Sequence, residues 1–184
     1  MKKVIAIVVA SALLGGCSTF GNKDPIEDVK LNTTEAEFLT ENGGLEIEFT
    51  DKGEWVKITS TGIAQIQTDR INSTEEAFST AELRAKGLIV EFIAQDVKSK
   101  KTVDGIAQQY LSENAGVDPA KGDEVSRKVT ESISSDAQTI LRGVTYGGRD
   151  YNESSRMVSV ELVITKLSVT ASKKIFFDMK VGKK

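Results

Sequence analysis

Leu45-Glu46-Ile47-Glu48-Phe49-Thr50 alternates apolar and polar side chains. A period of two predicts a β-strand with one buried face and one polar face. Asp51-Lys52-Gly53 follows as a predicted turn, because glycine can adopt the positive φ that tight turns use. A second strand over residues 54–67 then completes a predicted hairpin.

The second predicted strand has small residues between larger apolar ones, at Ser60 and Gly62. A patch of this kind either allows a helix to approach closely or marks a β-bulge. A helix is predicted to begin at Asn72 or Ser73, with acids in its first turn. Its inner face carries alanines at helical spacing, which would let it lie close to the sheet: Ala77, Ala81 and Ala85.

The next segments are mostly helical. Residues 102–111 are ambiguous but fit a short helix, and residues 116–122, which include Pro119, are predicted to form a loop. Residues 124–141 carry one apolar stripe at helical spacing, and Gly143 is well placed to stop that helix.

The C-terminal part is predicted to return to strands. A strand begins at Val144, residues 147–151 lead into a turn, and Met157–Ile164 alternates again as the partner strand. Residues 167–181 fit both helical and strand spacing, and we favour a helix. The fold class expected is α+β, an antiparallel sheet built from two hairpins with long helices packed on one face.

Residues 1–16 have the layout of a secretory signal: a basic start, a short apolar run and two small residues. The apolar run is too short for a typical membrane-spanning helix. Leu14-Gly15-Gly16-Cys17 resembles a bacterial lipobox, formed by Leu14, Gly15 and Gly16 before Cys17. That resemblance implies covalent lipid on Cys17 and cleavage before it; the alternative is a free or bridged cysteine. Cys17 is the only cysteine of the chain.

The segment after the lipobox, residues 17–44, is predicted to be an acidic, solvated tether. A helical turn over residues 34–39 is the alternative. The folded domain would then span residues 45–184. In the lipoproteins that this signal resembles, Asp after the cysteine favours retention at the inner membrane. Ser18 stands there in this chain, so the resemblance implies the outer membrane, with the domain in the periplasm.

Composition narrows the chemistry. The chain has no histidine, which removes Ser-His-Asp nucleophile systems and the commonest zinc ligand. A net charge of -3 and an aromatic content of 6% argue against nucleic-acid binding. Asp150, Asn152 and Glu153 crowd a turn, but they lack the regular spacing of a calcium loop. We expect no metal and no cofactor other than the lipid on Cys17.

Two features point to protein contacts. Arg149, Tyr151 and Arg156 surround the second hairpin's turn, and Arg and Tyr are favoured at interfaces, although ordinary surface positions are the simpler interpretation. The C-terminal segment is basic, whereas the predicted tether near the other end of the chain is acidic. This difference in charge favours head-to-tail association or binding to anionic polymers, or it serves solubility alone. The lysines of the C-terminal segment are Lys173, Lys174, Lys180, Lys183 and Lys184.

The elements above resemble a family of small bacterial outer-membrane lipoproteins that includes the flagellar lipoprotein FlgP. The matching residues are Ile58-Thr59-Ser60-Thr61-Gly62, the alanine ladder, Leu141-Arg142-Gly143-Val144 and the Val-rich strand. The resemblance implies an α+β domain without enzyme activity. In FlgP-like members it implies assembly into rings or discs around a flagellar motor.

The function expected is a non-enzymatic structural subunit of an envelope assembly, a homo-oligomer or a partner of other envelope proteins. The alternative is a monomeric periplasmic binding module, such as a pilotin-like chaperone or a peptidoglycan-associated adaptor. A carboxylate-dependent wall hydrolase is a third hypothesis, and it is disfavoured because the placed acids lie on predicted polar faces.

Overall fold

A computed structural model of the chain describes residues 33–68 and 72–181, with side chains as far as Ile175. The predicted signal peptide, the lipobox residues Leu14, Gly15, Gly16 and Cys17, and residues 18–32 of the predicted tether lie outside these residues. The described elements are β1 (Thr33–Thr40), β2 (Gly43–Thr50), β3 (Trp55–Gln65), α1 (Ser73–Glu91) with a π-helical turn (Phe92–Asp96), α2 (Lys100–Glu113), α3 (Pro119–Ile140), β4 (Thr145–Asn152), β5 (Met157–Thr165) and α4 (Lys166–Val181).

The strands form one antiparallel sheet in the order β1-β2-β3-β5-β4. The α+β class predicted from the sequence is confirmed. The hairpins β2–β3 and β4–β5 are both present, and β3 and β5 pair in the middle of the sheet. None of the described helices is both long and apolar enough to cross a membrane.

Strand β1 corrects the prediction of a tether. Residues 33–40 pair with β2 along their whole length, from Thr33 opposite Thr50 to Thr40 opposite Gly43. Ala36 is buried and Phe38 is half-buried against the core, so Glu35 and Glu37, which alternate with them, point to the other side of the strand. The folded domain therefore includes β1, and the tether prediction is wrong for residues 33–44, as is the alternative helical turn.

The helices cover one face of the sheet. Helix α1 packs on β3 and β5, α2 packs on β1, and α3 packs mainly on α2. The covered face and the helices share one apolar core, in which every inward residue of β2 and β5 is apolar and buried. These strand residues are Leu45, Ile47, Phe49, Val158, Val160, Leu162 and Ile164.

The closest helix–strand contact lies where small residues were predicted to permit it. A Cβ added to Gly62 would overlap the carbonyl oxygen of Ala81 and lie 2.5 Å from the Ala85 nitrogen. One turn further along α1, the Ala85 carbonyl oxygen accepts a buried hydrogen bond of 2.9 Å from the Ser60 hydroxyl of β3. The close approach is confirmed, and the bulge in this hairpin instead lies between Glu48 and Phe49.

One of three helix starts differs from the predictions. Helix α3 begins at Pro119, not in a loop that runs to residue 122, because Asp118 caps it through the Ala120 amide and proline suits the first helical turn. The ambiguous segment after Ser99 is helix α2, whose amide at Thr102 bonds to the Ser99 side chain. Helix α1 begins at Ser73 as predicted, but the Asn72 side chain makes no capping hydrogen bond.

Strand β4 and helix α4 settle the remaining alternatives. Strand β4 continues as far as Asn152, past the predicted turn, because a bulge between Tyr146 and Gly148 absorbs the glycine pair without ending the pairing. Residues 166–181 form helix α4, which confirms the helical interpretation of that segment.

We predict opposite effects for alanine at two glycines. Gly62→Ala should lower the free energy of unfolding by about 1–3 kcal/mol or more, since α1 must move away from β3. Gly87→Ala should raise it by up to about 1 kcal/mol, because Gly87 lies within α1 with open space around its Cβ position. Urea denaturation of the two variants measures both changes. Equal stabilities would contradict the close approach.

Candidate functional site

The second face of the sheet is open. Alternate residues of the strands point away from the helices, and no described helix packs across the centre of this face. An antiparallel sheet commonly has one solvated face, so an open face is not unusual in itself. Its composition is more informative, because it combines several carboxylates with the exposed Leu39 and with half-buried apolar side chains such as Ile63.

Four glutamates form an acidic strip at one side of the open face. Glu35 lies opposite Glu48, and Glu37 lies opposite Glu46, in the β1–β2 register. Lys57 of β3 is opposite Glu48 and is the nearest cation in that row. Like charges in directly opposed positions destabilise a sheet, so the fold bears an energetic cost along this strip. None of the four forms an ion pair with another described residue.

The acidic strip alters the titration of one of its members. The pKa of Glu46 is raised above its usual value, first because of partial burial and then because of the negative charge of Glu35. The nearby Lys57 acts in the opposite direction without reversing the shift. A cation brought to this strip from outside would therefore relieve repulsion that the chain itself leaves unbalanced.

Next to the acidic strip lies a shallow depression of about 320 Å³. Its side-chain walls include Leu39, which is 71% exposed, and Ile63. Thr59 also lines the depression, and its side chain is only 8% exposed although its hydroxyl has no hydrogen-bond partner. A buried hydroxyl without a partner is uncommon in a folded domain. The depression thus offers apolar contact, and the Thr59 hydroxyl is buried beneath it without a partner.

Arg149, one of the residues predicted for an interface, makes its contacts within the chain. Its Nε donates to the Tyr146 hydroxyl at 2.9 Å, and its Nη1 lies 3.5 Å from a carboxylate oxygen of Glu75. The guanidinium is also 5.1 Å from the ring centroid of Phe78. Arg149 therefore ties strand β4 to helix α1.

The other two residues predicted with it lie close together at the end of the second hairpin. Tyr151 is 46% exposed on β4, and Arg156 follows in the turn with a φ of 54°. The Arg156 side chain donates to the Thr68 carbonyl oxygen at 3.3 Å. Tyr151 and Arg156 line the same surface depression at this end of the hairpin, while Arg149 contacts Tyr146, Glu75 and Phe78. Their role in an interface stays a prediction.

The other polar clusters have structural explanations. The Asn152 side chain accepts a hydrogen bond from the Ser155 amide, as expected for a turn. Among the described residues, no group of three or more carboxylate or cysteine side chains is placed to hold a metal ion.

The pKa of Glu82 is lowered by a hydrogen bond from Lys86 and further by Tyr146, both at the protein surface.

Reasoning from the sequence missed the open face because it assigned β1 to the tether. The signal that could have revealed it is the alternation of Thr34, Ala36 and Phe38 with glutamates, followed by Asn42-Gly43, a frequent hairpin dipeptide. No protein-family model, curated protein or solved structure matches the chain.

We predict that Glu46→Gln stabilises the protein at neutral pH, by up to about 1 kcal/mol, because it removes one like-charge pair. The folded state binds a proton at Glu46 more readily than the unfolded state does. The stability of the natural chain should therefore fall as pH rises from about 4.5, the ordinary value, through the raised pKa. The difference in stability between Glu46→Gln and the natural chain should shrink below about pH 4.5.

Thermal melting between pH 4 and 7 measures this difference. Glu131→Gln is a matched control, since Glu131 is exposed on α3 and away from the strip. A lower melting temperature for Glu46→Gln than for the natural chain at pH 7 would contradict the described arrangement of the glutamates.

Proposed function

We propose that the chain is a lipid-anchored, non-catalytic structural subunit of an envelope assembly. In this proposal the lipid on Cys17 holds the protein at the outer membrane, and the domain faces the periplasm. The lipobox residues Leu14, Gly15 and Gly16 support the anchor. Two or more acyl chains give stable membrane attachment, so the domain needs no membrane-binding surface of its own.

The observation that carries the structural role is the exposure of large apolar side chains on three separate surfaces. Leu39 is 71% exposed on the open face. Leu83 and Val90 are 69% and 51% exposed on α1. Leu167 and Ile175 are 80% and 60% exposed on α4. Single exposed apolar residues are ordinary, but their repetition along two helices and beside a depression fits a subunit with several neighbours.

The resemblance to the FlgP-containing family makes a ring or disc around a flagellar motor the sharpest form of the proposal. A specific observation favours one alternative. The depression beside Leu39 and Ile63 could hold part of an extended peptide, as expected of a monomeric chaperone or adaptor. The structural subunit would be oligomeric and the binding module monomeric, so one measurement of oligomeric state distinguishes the two functions.

We predict that Cys17→Ser abolishes labelling of the protein by palmitate and releases it from the membrane fraction. Thr19→Ser, which leaves the lipobox intact, is the matched control and should stay labelled. The measurement is metabolic labelling followed by separation of inner and outer membranes. A labelled Cys17→Ser variant, or a natural chain that fractionates as a free periplasmic protein, would contradict the anchor.

The structural role has its own test. Membranes that contain the natural chain are extracted in mild detergent, and the size of the extracted complexes is measured by sedimentation. We expect most of the protein in complexes of several copies, alone or with other envelope proteins. A chain that is lipid-labelled but sediments as a monomer would favour the binding module.

A further inference from the structure

Helix α4 presents an unused amphipathic surface. Among its described side chains, residues 166–175, only Val169 is buried. Leu167, Ala171 and Ile175 are exposed at helical spacing, so they form one apolar stripe, and Lys174 lies at its border. Lys173 and Lys174 form no ion pair with any described residue, whereas Lys166 is paired with Glu54 at 3.3 Å.

The open face has the complementary properties. The acidic strip presents four carboxylates without ion pairs to described residues, and the depression beside it is lined by the exposed Leu39 and by Ile63. Opposite charges on two surfaces steer encounter and fix orientation, while apolar contact supplies most of the affinity. The open face and α4 therefore match each other in charge and in apolar character.

We propose that the open face of one copy binds helix α4 of a second copy, with the acidic strip facing Lys174 and the depression accepting Leu167 and Ile175. This inference rests on the proposed function, because it specifies how subunits of the assembly would join. The two surfaces differ, so the contact is heterologous: the first copy retains a free α4, and the second copy retains a free open face. Contacts of that kind propagate into rings or filaments.

The dimensions of the two surfaces are compatible. A helix of 16 residues such as α4 is about 24 Å long. The eight residues of β2 span about 27 Å, and the five strands of the sheet span roughly 19 Å from edge to edge. The helix therefore fits along the face. Contact over a face of this size is at the low end for stable complexes, and attachment of all copies to one membrane raises their effective concentration.

Cross-linking of single cysteines tests the contact in the full-length, membrane-bound protein. Thr61→Cys places a thiol in the depression, and Ala171→Cys places one on the exposed stripe of α4. Both substitutions are small and preserve the fold. Co-expressed copies that carry different thiols are treated with a short bifunctional maleimide. We expect cross-linked dimers from the mixture and at most one tenth as much from either variant alone.

Several outcomes would overturn the contact. Dimers from Thr61→Cys alone would show that open faces meet each other, and dimers from Ala171→Cys alone would show that α4 helices meet. Cross-links to other proteins only would assign the open face to a different basic partner. The absence of any cross-link would also reject the proposed contact between the open face and α4. The natural chain is the control for a free Cys17 thiol, so a failure of lipidation is detected separately.

A charge exchange tests the role of the acidic strip. Glu37→Lys, or Lys174→Glu, should weaken association about tenfold or more, measured as the concentration of half-dissociation in detergent. The chain with both changes should recover most of the loss, because opposite charges face each other again. Glu131→Lys changes net charge by the same amount as Glu37→Lys at an exposed position on α3 and should have little effect. Weakening by both single changes without recovery would overturn the pairing.

Discussion

The contact between helix α1 and strand β3 is the constraint on which the other packing depends. Gly62 has no side chain where the backbone of α1 crosses β3, and the Ser60 hydroxyl bonds to the Ala85 carbonyl oxygen beside it. Because α1 lies so close to the strand, its alanines are fully enclosed, and larger side chains of β5 close the core around them. The helical layer is fixed to one face, and no described helix packs across the centre of the second face.

A one-sided sheet must accommodate a polar surface along strands that are otherwise buried. The threonines, glutamates and lysine of the open face serve that purpose, but their arrangement is not optimal for stability. Carboxylates are opposed in two successive pairs, and the hydroxyl of Thr59 is buried without a partner. Sites of this kind, where local energetics are worse than the fold requires, are common where a protein binds another molecule.

Much of the fold could be predicted because its determinants are local. Alternation predicted β2, β3 and β5, and the small residues at Ser60 and Gly62 predicted the approach of α1. Strand β1 was missed because acidic composition suggested solvation, although only alternate residues needed to be polar. The start of α3 was missed because Pro119 was interpreted as a breaker, whereas after a capping Asp it begins a helix.

The candidate site could not be predicted in the same way. Glu35 and Glu48, or Glu37 and Glu46, are brought opposite one another by strand register, and that register exists only once β1 is recognised as a strand. The role of Arg149 was also inaccessible, since its partners Glu75 and Phe78 lie on a helix far away in sequence. Long-range pairing thus determines the site, while local pattern determines most of the elements.

Hydrogen exchange of the backbone amides of α4 tests the central claim, that this helix is covered by a second copy, most directly. The full-length protein in detergent would be compared at high and low protein concentration. We expect the amides of Lys166–Val181 to be protected at high concentration and to exchange faster on dilution, while those of α1 stay unchanged. Exchange of α4 that does not depend on concentration would contradict the claim.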